Sequence, residues 1–355
     1  MYLLSNEESA RWRAAATQIL EGRGGSIADA GAEVHPDLRA PFYYYVGTVL
    51  AASGDVTGAI PWLEAGRELE PIPACSYLLD LVERQGGEFV IPEVAFTDPR
   101  PWGHFSGLPS LREARSNFIE RSTASLPAFA HPLRYADIGC GNGELGIRLA
   151  RSLEAAGKVT GIGAVTLIDP SPGMLELAER NVGEAFPGAE VTVLRSRLED
   201  AGELPGACDL SIASSSVHHM TAEQKSVHLP VLAESVDHFL LSELEANHDY
   251  PEMGSPELAF SVYQVFGRGV QWVMEQQAPS EVQRACADTF LMTEAISILS
   301  QPRGERTEYH MLRDEWKQLL DEGLESFERV CEATCYADEY VEQFMLHYAR
   351  KAGSR

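Results

Sequence analysis

Basic residues are scarce in this chain. Its 355 residues hold 28 Lys and Arg against 53 Asp and Glu, a formal net charge of −25. Such a surface repels phosphate backbones and anionic lipid headgroups. It excludes nucleic acid and membrane as expected partners and favours small or cationic ones, or solubility alone. Paired cysteines are lacking too. Cys75, Cys140, Cys208, Cys286, Cys331 and Cys335 are scattered without a CxxC, and no His stands near Cys331 and Cys335 at a zinc-ligand spacing. They read as reduced thiols of a cytoplasmic protein, and no metal is expected. No apolar run approaches the ~18 residues of a membrane span, and the opening MYLLSNEESARWR has no signal-peptide pattern. What is present is the composition of a folded soluble chain, 45% hydrophobic and 23% charged, long enough for two or three domains.

Residues 1–87 read as a separate all-α domain. Glu7–Glu21 is amphipathic and stops at the Gly22–Gly25 cluster. Residues 40–71 fit the tetratricopeptide pattern of about 34 residues. Tyr43, Val46, Gly47 and Leu50 fall on its first helix, Gly54 at the turn, Ala59, Leu63 and Gly66 on the second, and Pro71 at the close. An ordinary helical hairpin fits as well, because one repeat cannot bury its faces alone. Either form suits interaction or dimerisation, and a homodimer is expected. Residues 88–114 read as a linker, rich in Pro, Gly and aromatics, with helix resuming at Ser110–Thr123.

From 115 to 355 short apolar runs alternate with helical ones, the signature of a doubly wound α/β sheet. Strands are predicted at Arg134–Ile138, Val165–Ile168, Val191–Leu194, Leu210–Ala213 and Phe239–Leu241, and helices near Glu144–Ala156, Pro172–Ala185, Ala222–Ser235 and Leu312–Asp321. Phe327–Cys335 and Val341–Tyr348 alternate and are expected to pair as an antiparallel hairpin. Residues 246–306 exceed what a connection needs and read as a helical insert, a lid or an oligomer contact.

The run Asp137-Ile-Gly-Cys-Gly-Asn-Gly143 follows a strand and opens a helix, and a second acid, Asp169, ends the next strand. Gly139, Gly141 and Gly143 give a tight turn that lets a ligand approach the backbone, and a carboxylate at Asp169 suits the two hydroxyls of a ribose. A dinucleotide-binding turn is the alternative. With the terminal hairpin, these residues resemble the class I S-adenosylmethionine-dependent methyltransferases, over about 115–245 and 307–355. The resemblance implies a Rossmann-like sheet and S-adenosylmethionine as cofactor. By it, the three glycines pass along the methionine and ribose, Asp137 steadies the methionine amino group and Asp169 holds the ribose diol. Pro170 and Met174 flank the adenine. The place after the third strand where an acid commonly meets the adenine amino group reads Arg197 here, so Glu199 or Asp200 is expected to serve. Ser214, just after the fourth strand, is expected to meet the cofactor at the same rim.

Ser214-Ser-Ser-Val-His-His-Met220 brings His218 and His219 to the carboxyl ends of the strands, where ligands of such sheets bind. A general base is expected of one, with packing or positioning for the other. Ser242-Glu-Leu-Glu-Ala-Asn-His-Asp-Tyr-Pro-Glu252 brings Glu243, Glu245, Asn247, His248, Asp249, Tyr250 and Glu252 to the rim. No Lys or Arg occurs from Ser226 through Gly267, whereas Glu234, Asp237, Glu243, Glu245, Asp249, Glu252 and Glu257 do. A solvated acidic loop explains this; so does a site for a cationic nitrogen. Glu243 and Glu252 resemble the paired glutamates with which protein arginine methyltransferases clamp a guanidinium, although that pair follows the fourth strand and this one the fifth. The resemblance implies a small cationic substrate, free arginine first, N-methylated in specialised natural-product metabolism, with Glu245, Asn247, His248, Asp249, Tyr250 and His310 around it. The alternatives are O- or C-methylation with a His base, and a non-catalytic cofactor-binding scaffold. Trp316 reads as core, and Tyr263, Phe266 and Trp272 as insert core or as a shield over the sulfonium.

Overall fold

The computed structural model describes residues 2–93, 100–201 and 208–353. The chain opens with helices α1 (Asn6–Leu20), α2 (Ile27–Ala32), α3 (Arg39–Ala52), α4 (Val56–Arg67) and α5 (Ala74–Arg84). Ser5 caps α1 by accepting the Glu8 N–H, and Asp55 caps α4 by accepting that of Gly58. The hairpin expected over 40–71 is α3 and α4. Its helices pack closely because Gly47 has no side chain: a Cβ there would stand 2.8 Å from the Leu63 side chain. Two further helices follow, α6 (Arg100–Ser106) and α7 (Pro109–Ser125). They correct the linker reading: Phe105 stacks on Phe290 with centroids 4.9 Å apart, a long-range contact that overrides the Pro/Gly signal. Residues 94–99 of the expected linker lie outside the described residues.

The α/β part then alternates through β1 (Leu133–Ile138), α8 (Glu144–Ala155), β2 (Ile162–Ile168), α9 (Pro172–Ala185), β3 (Glu190–Leu194), α10 (Leu198–Ala201), β4 (Cys208–Ser214), α11 (Ala222–Glu234) and β5 (Val236–Glu245). The insert forms α12 (Pro256–Glu275), α13 (Ser280–Ala287) and α14 (Thr293–Ser300), with a π-helical turn at Asp288–Met292. The chain closes with α15 (Arg313–Gly323), β6 (Phe327–Ala337) and β7 (Glu342–Arg350).

The strands form one seven-stranded sheet in the order β3-β2-β1-β4-β5-β7-β6. The first five are parallel, and β7 runs antiparallel to both β5 and β6. This is the class I methyltransferase sheet with its terminal hairpin. Alternate residues of each strand face opposite layers. Phe239 and Leu241 of β5, with Phe344 and Leu346 of β7, join α11 and α15. Leu240 and Met345 join α7, α8 and α9. The strand order reverses between β1 and β4, which puts the ligand crevice at their carboxyl ends.

The chain divides into two compact units. The sheet unit comprises Ser110–Glu245, Tyr309–Ala337 and Glu342–Arg355, and the helical unit comprises Met1–Pro109, Ala246–Glu308 and Asp338–Val341. In the helical unit Trp12 is fully buried, edge-on to Phe42 and Phe260 and stacked on Tyr45. Tyr263 and Phe266 are buried on α12.

Candidate active site

The turn after β1 is built around two acids. Gly139 has φ +64°, and a Cβ on it would lie 2.3 Å from that of Ser216, so only glycine fits between β1 and the loop after β4. Asp137 is buried at 4% exposure, and its Oδ2 has no hydrogen-bond partner among the described residues. Burial first, and Asp169 second, push its carboxyl up to about 7. Gly146 makes room for it, since a Cβ there would stand 2.7 Å from Oδ2. That fourth glycine went unread in the sequence, although it continues the Gly139, Gly141, Gly143 series.

Asp169 accepts the Gly141 N–H on Oδ2 at 3.0 Å and the Ser171 N–H on Oδ1 at 2.8 Å. Those bonds orient both oxygens and leave each a lone pair for a diol. Burial raises its carboxyl above the ordinary value, against the pull of these two N–H groups and His219. Gly141 leaves open space where a Cβ would stand. A buried carboxyl with one unpartnered oxygen, a doubly oriented carboxylate and an open backbone turn fit the ammonium, ribose and chain of S-adenosylmethionine. Asp137 would hold the first and Asp169 the second. Beyond them Pro170 is exposed and Met174 half-buried. Glu199 is half-buried and lies 3.8 Å from the exposed Arg197. Ser214 pairs in register with Ser242.

The loop after β4 meets β5. β5 runs on to Glu245, past the rim expected at Ser242, because Glu243 and Glu245 pair with Phe344 and Glu342 of β7. Glu243 is 1% exposed and its carboxylate is fully engaged. Oε1 accepts the N–H groups of Ser216 at 3.1 Å and Val217 at 3.0 Å, and Oε2 lies 2.7 Å from His218 Nδ1. Ser215 carries φ 49°, a left-handed conformation costly for a side chain and common where a site is held in strain. His218 is buried, and the ring of His310 stacks on it at 4.1 Å and 27°. His219 is exposed. Together His218, Glu243 and His310 place one ligating atom each within 4.8 Å of one another, a two-histidine, one-carboxylate grouping the sequence reading did not foresee.

The acid-rich segment differs from its sequence reading. Three of its seven carboxylates have arginine partners, brought from outside the segment. Arg303 Nη2 and Nε donate to Asp249 Oδ1 at 2.6 and 2.8 Å, Arg13 lies 3.2 Å from Glu257 and Arg350 lies 3.4 Å from Asp237. Glu245 accepts the Arg313 N–H at 3.3 Å, while burial raises its carboxyl. Asn247, His248, Asp249, Tyr250 and Glu252 belong to the helical unit. Asn247 N–H donates to Ser261, His248 is buried against Phe266, and Tyr250 and Glu252 are exposed. His310 belongs to the sheet unit. Trp316 is fully buried. All six cysteines are free thiols.

Residues 136–236 match the sequence model of a methyltransferase domain. No curated protein matches the chain. Among solved structures, magnesium protoporphyrin IX methyltransferase of Synechocystis with bound SAH is 17% identical and covers 71% of this chain and 93% of its own, with a TM-score of 0.43. An S-adenosylmethionine-dependent methyltransferase of Leishmania major is 15% identical over 71% of this chain and 85% of its own, at 0.41. The plantazolicin methyltransferase in complex with SAH is 11% identical over 78% of this chain and 100% of its own, at 0.45. These superpositions are loose, and the fold assignment rests on the strand order. A turn that suits an ammonium and a ribose diol lies inside the stretch that matches a methyltransferase domain, and this part of the chain supports an enzyme that uses S-adenosylmethionine as its cofactor.

Proposed function

We propose that the chain methylates a small molecule at an oxygen or carbon whose proton passes to His218. The observation that carries this reading is the 2.7 Å contact between His218 Nδ1 and Glu243 Oε2. With Nδ1 donating to the carboxylate, the basic lone pair of the ring is Nε2. Glu243 fixes the tautomer and the ring plane, and it stabilises the imidazolium that forms on proton uptake. The two backbone N–H groups on Oε1 keep Glu243 from turning away. The cofactor supplies an electrophilic methyl group on its sulfonium. The chain's part is to hold the nucleophile in line, exclude water and take the proton.

The engagement of Glu243 weighs against a guanidinium clamp, because a clamping carboxylate needs both oxygens for the ligand. A cationic substrate such as arginine therefore comes second to a neutral acidic one. Arg303, Arg13 and Arg350 pair with three of the seven acids whose density suggested it. A homodimer, a cytoplasmic setting, a role in natural-product metabolism and tetratricopeptide-like recognition by α3 and α4 remain part of the proposal. No helix among the described residues is long and apolar enough to cross a membrane.

The test is methyl transfer from labelled cofactor to a panel of phenols, oxo acids, amines and guanidines, read by product mass. An O- or C-methylated product formed by the wild type, and lost in His218→Ala, supports the reading. Turnover of guanidines alone, with His218→Ala at full rate, overturns it.

A further inference from the structure

We infer that Lys225 is a positioning residue for the His218–His310 pair, and that its buried charge serves the site rather than the fold. The inference rests on His218 as the base. α11 presents one buried stripe, Ala222, Lys225, Leu229, Leu232 and Ala233, and a lysine occupies a core position in it with no exposed surface. Burying an ammonium costs more than burying a methionine of similar length, so stability alone does not account for it.

What the ammonium holds is specific. Lys225 Nζ donates to the Tyr309 carbonyl at 2.5 Å and sits 4.6 Å from the centroid of the Trp316 ring, an aromatic face that helps to replace lost water. On the other side of the same residue, the Tyr309 N–H donates to the His218 carbonyl at 2.6 Å. Residue 309 is therefore gripped at both ends, by the His218 backbone and by Lys225. The next side chain in the chain is His310, whose ring stacks on His218. The far side of that arrangement is set by Glu243. The His218 ring is thus held in its plane by Glu243 and against its face by His310, and Lys225 fixes where His310 lies. Met311, buried in the same core layer as Trp316, continues the anchoring.

The sequence pattern hid this role. Lys225 in AEQKSVHLPVLAE looks like one polar residue of an amphipathic helix, and only its phase with Ala222, Leu229 and Leu232 marks it as inward.

The test reads ring placement without turnover. Protein labelled at histidine Cε1 is followed by NMR, with the His218 and His310 signals assigned by their loss in His218→Ala and His310→Ala. In the wild type, each ring shifts the other's signal through its ring current. Lys225→Met is expected to lose most of that mutual shift, while cofactor Kd stays within about twofold of the wild type, because Asp137 and Asp169 are untouched. Lys225→Gln keeps a neutral donor for the Tyr309 carbonyl and is expected to fall between the two. It also serves as the test variant if Lys225→Met does not fold. With a substrate in hand, kcat should fall at least tenfold in Lys225→Met with KM for cofactor unchanged. His218 and His310 signals in Lys225→Met, or in Lys225→Gln if that is the folded variant, that superimpose on the wild type would overturn the inference. That result would leave the assignment of His218 as base standing. Full activity of His218→Ala would sink the base and leave the ring placement measured.

Discussion

At the scale of single residues, two carboxyls do opposite jobs. Burial and Asp169 push the Asp137 carboxyl up to about 7, so in the proposed site it would pair with a ligand ammonium only as it loses its proton. Protonation then competes with binding. Cofactor affinity measured calorimetrically should fall about tenfold from pH 7 to about pH 5.7 as the carboxyl protonates, and Asp137→Asn should be weak and flat across that range. An affinity independent of pH in the wild type would remove Asp137 from the ammonium. Glu243 instead accepts two backbone N–H groups and faces His218 Nδ1, and in the proposed reaction it works through His218. Glu243→Gln should lower kcat by roughly 10²-fold or more while cofactor Kd stays near the wild-type value. The acids and glycines of the turn were legible in the sequence because they are contiguous with a strand and a helix. The Glu243–His218 contact was not, since it depends on β4 and β5 lying side by side. The partners of Asp249, Glu257 and Asp237 come from Arg303, Arg13 and Arg350, well separated in sequence. Local charge density is a poor guide for that reason.

At the scale of elements, the order of β1 to β4 and the bounds of α8, α9 and α11 were legible from apolar runs and caps, although β2 begins at Ile162 and β4 at Cys208, ahead of Val165 and Leu210. β5 ran longer than its apolar core Phe239–Leu241, because pairing with β7 carries polar residues as far as Glu245. The linker reading failed at α6, where packing of Phe105 on Phe290 outweighs local propensity. The junction of β1, its glycine turn and the loop after β4 is the tightest in the sheet unit's site. Gly139→Ala combines a left-handed backbone with a contact of 2.3 Å to Ser216, and it should displace that loop. The expected result is a loss of about 1–3 kcal/mol in folding free energy, measured by denaturant unfolding, together with weaker cofactor binding. In the helical unit Gly47→Val should separate α3 from α4 and lower the Tm. An unchanged Tm would mean that Leu63 moves aside freely.

At the scale of the whole molecule, the histidine pair at the opposite end of β5 is expected to contribute to acid sensitivity. His238 Nδ1 lies 3.1 Å from His347 Nε2, whose other nitrogen is 2.9 Å from Ser125 Oγ. Burial, with His238 beside it, holds the His347 imidazole down to about 3, and burial lowers His238 as well. The unfolded chain therefore binds protons that the folded chain refuses, from about pH 6.5 downward. Stability should fall as pH drops through the window from about 6.5 to about 3, by at most ~1.4 kcal/mol per pH unit for His347. His347→Gln should flatten that slope in urea unfolding curves, and an unaltered slope would place the acid sensitivity elsewhere. The −25 net charge disfavours anionic partners but does not select a cationic one, since three acids of its acid-rich segment are paired with arginines in the fold. The proposed reaction turns on Glu243 orienting His218 to take the substrate proton. Its most direct measurement is the turnover number of the wild type and of Glu243→Gln with the substrate the panel identifies. The account predicts a Glu243→Gln enzyme that binds cofactor normally and turns over roughly 10²-fold or more slowly. A Glu243→Gln enzyme as fast as the wild type contradicts it.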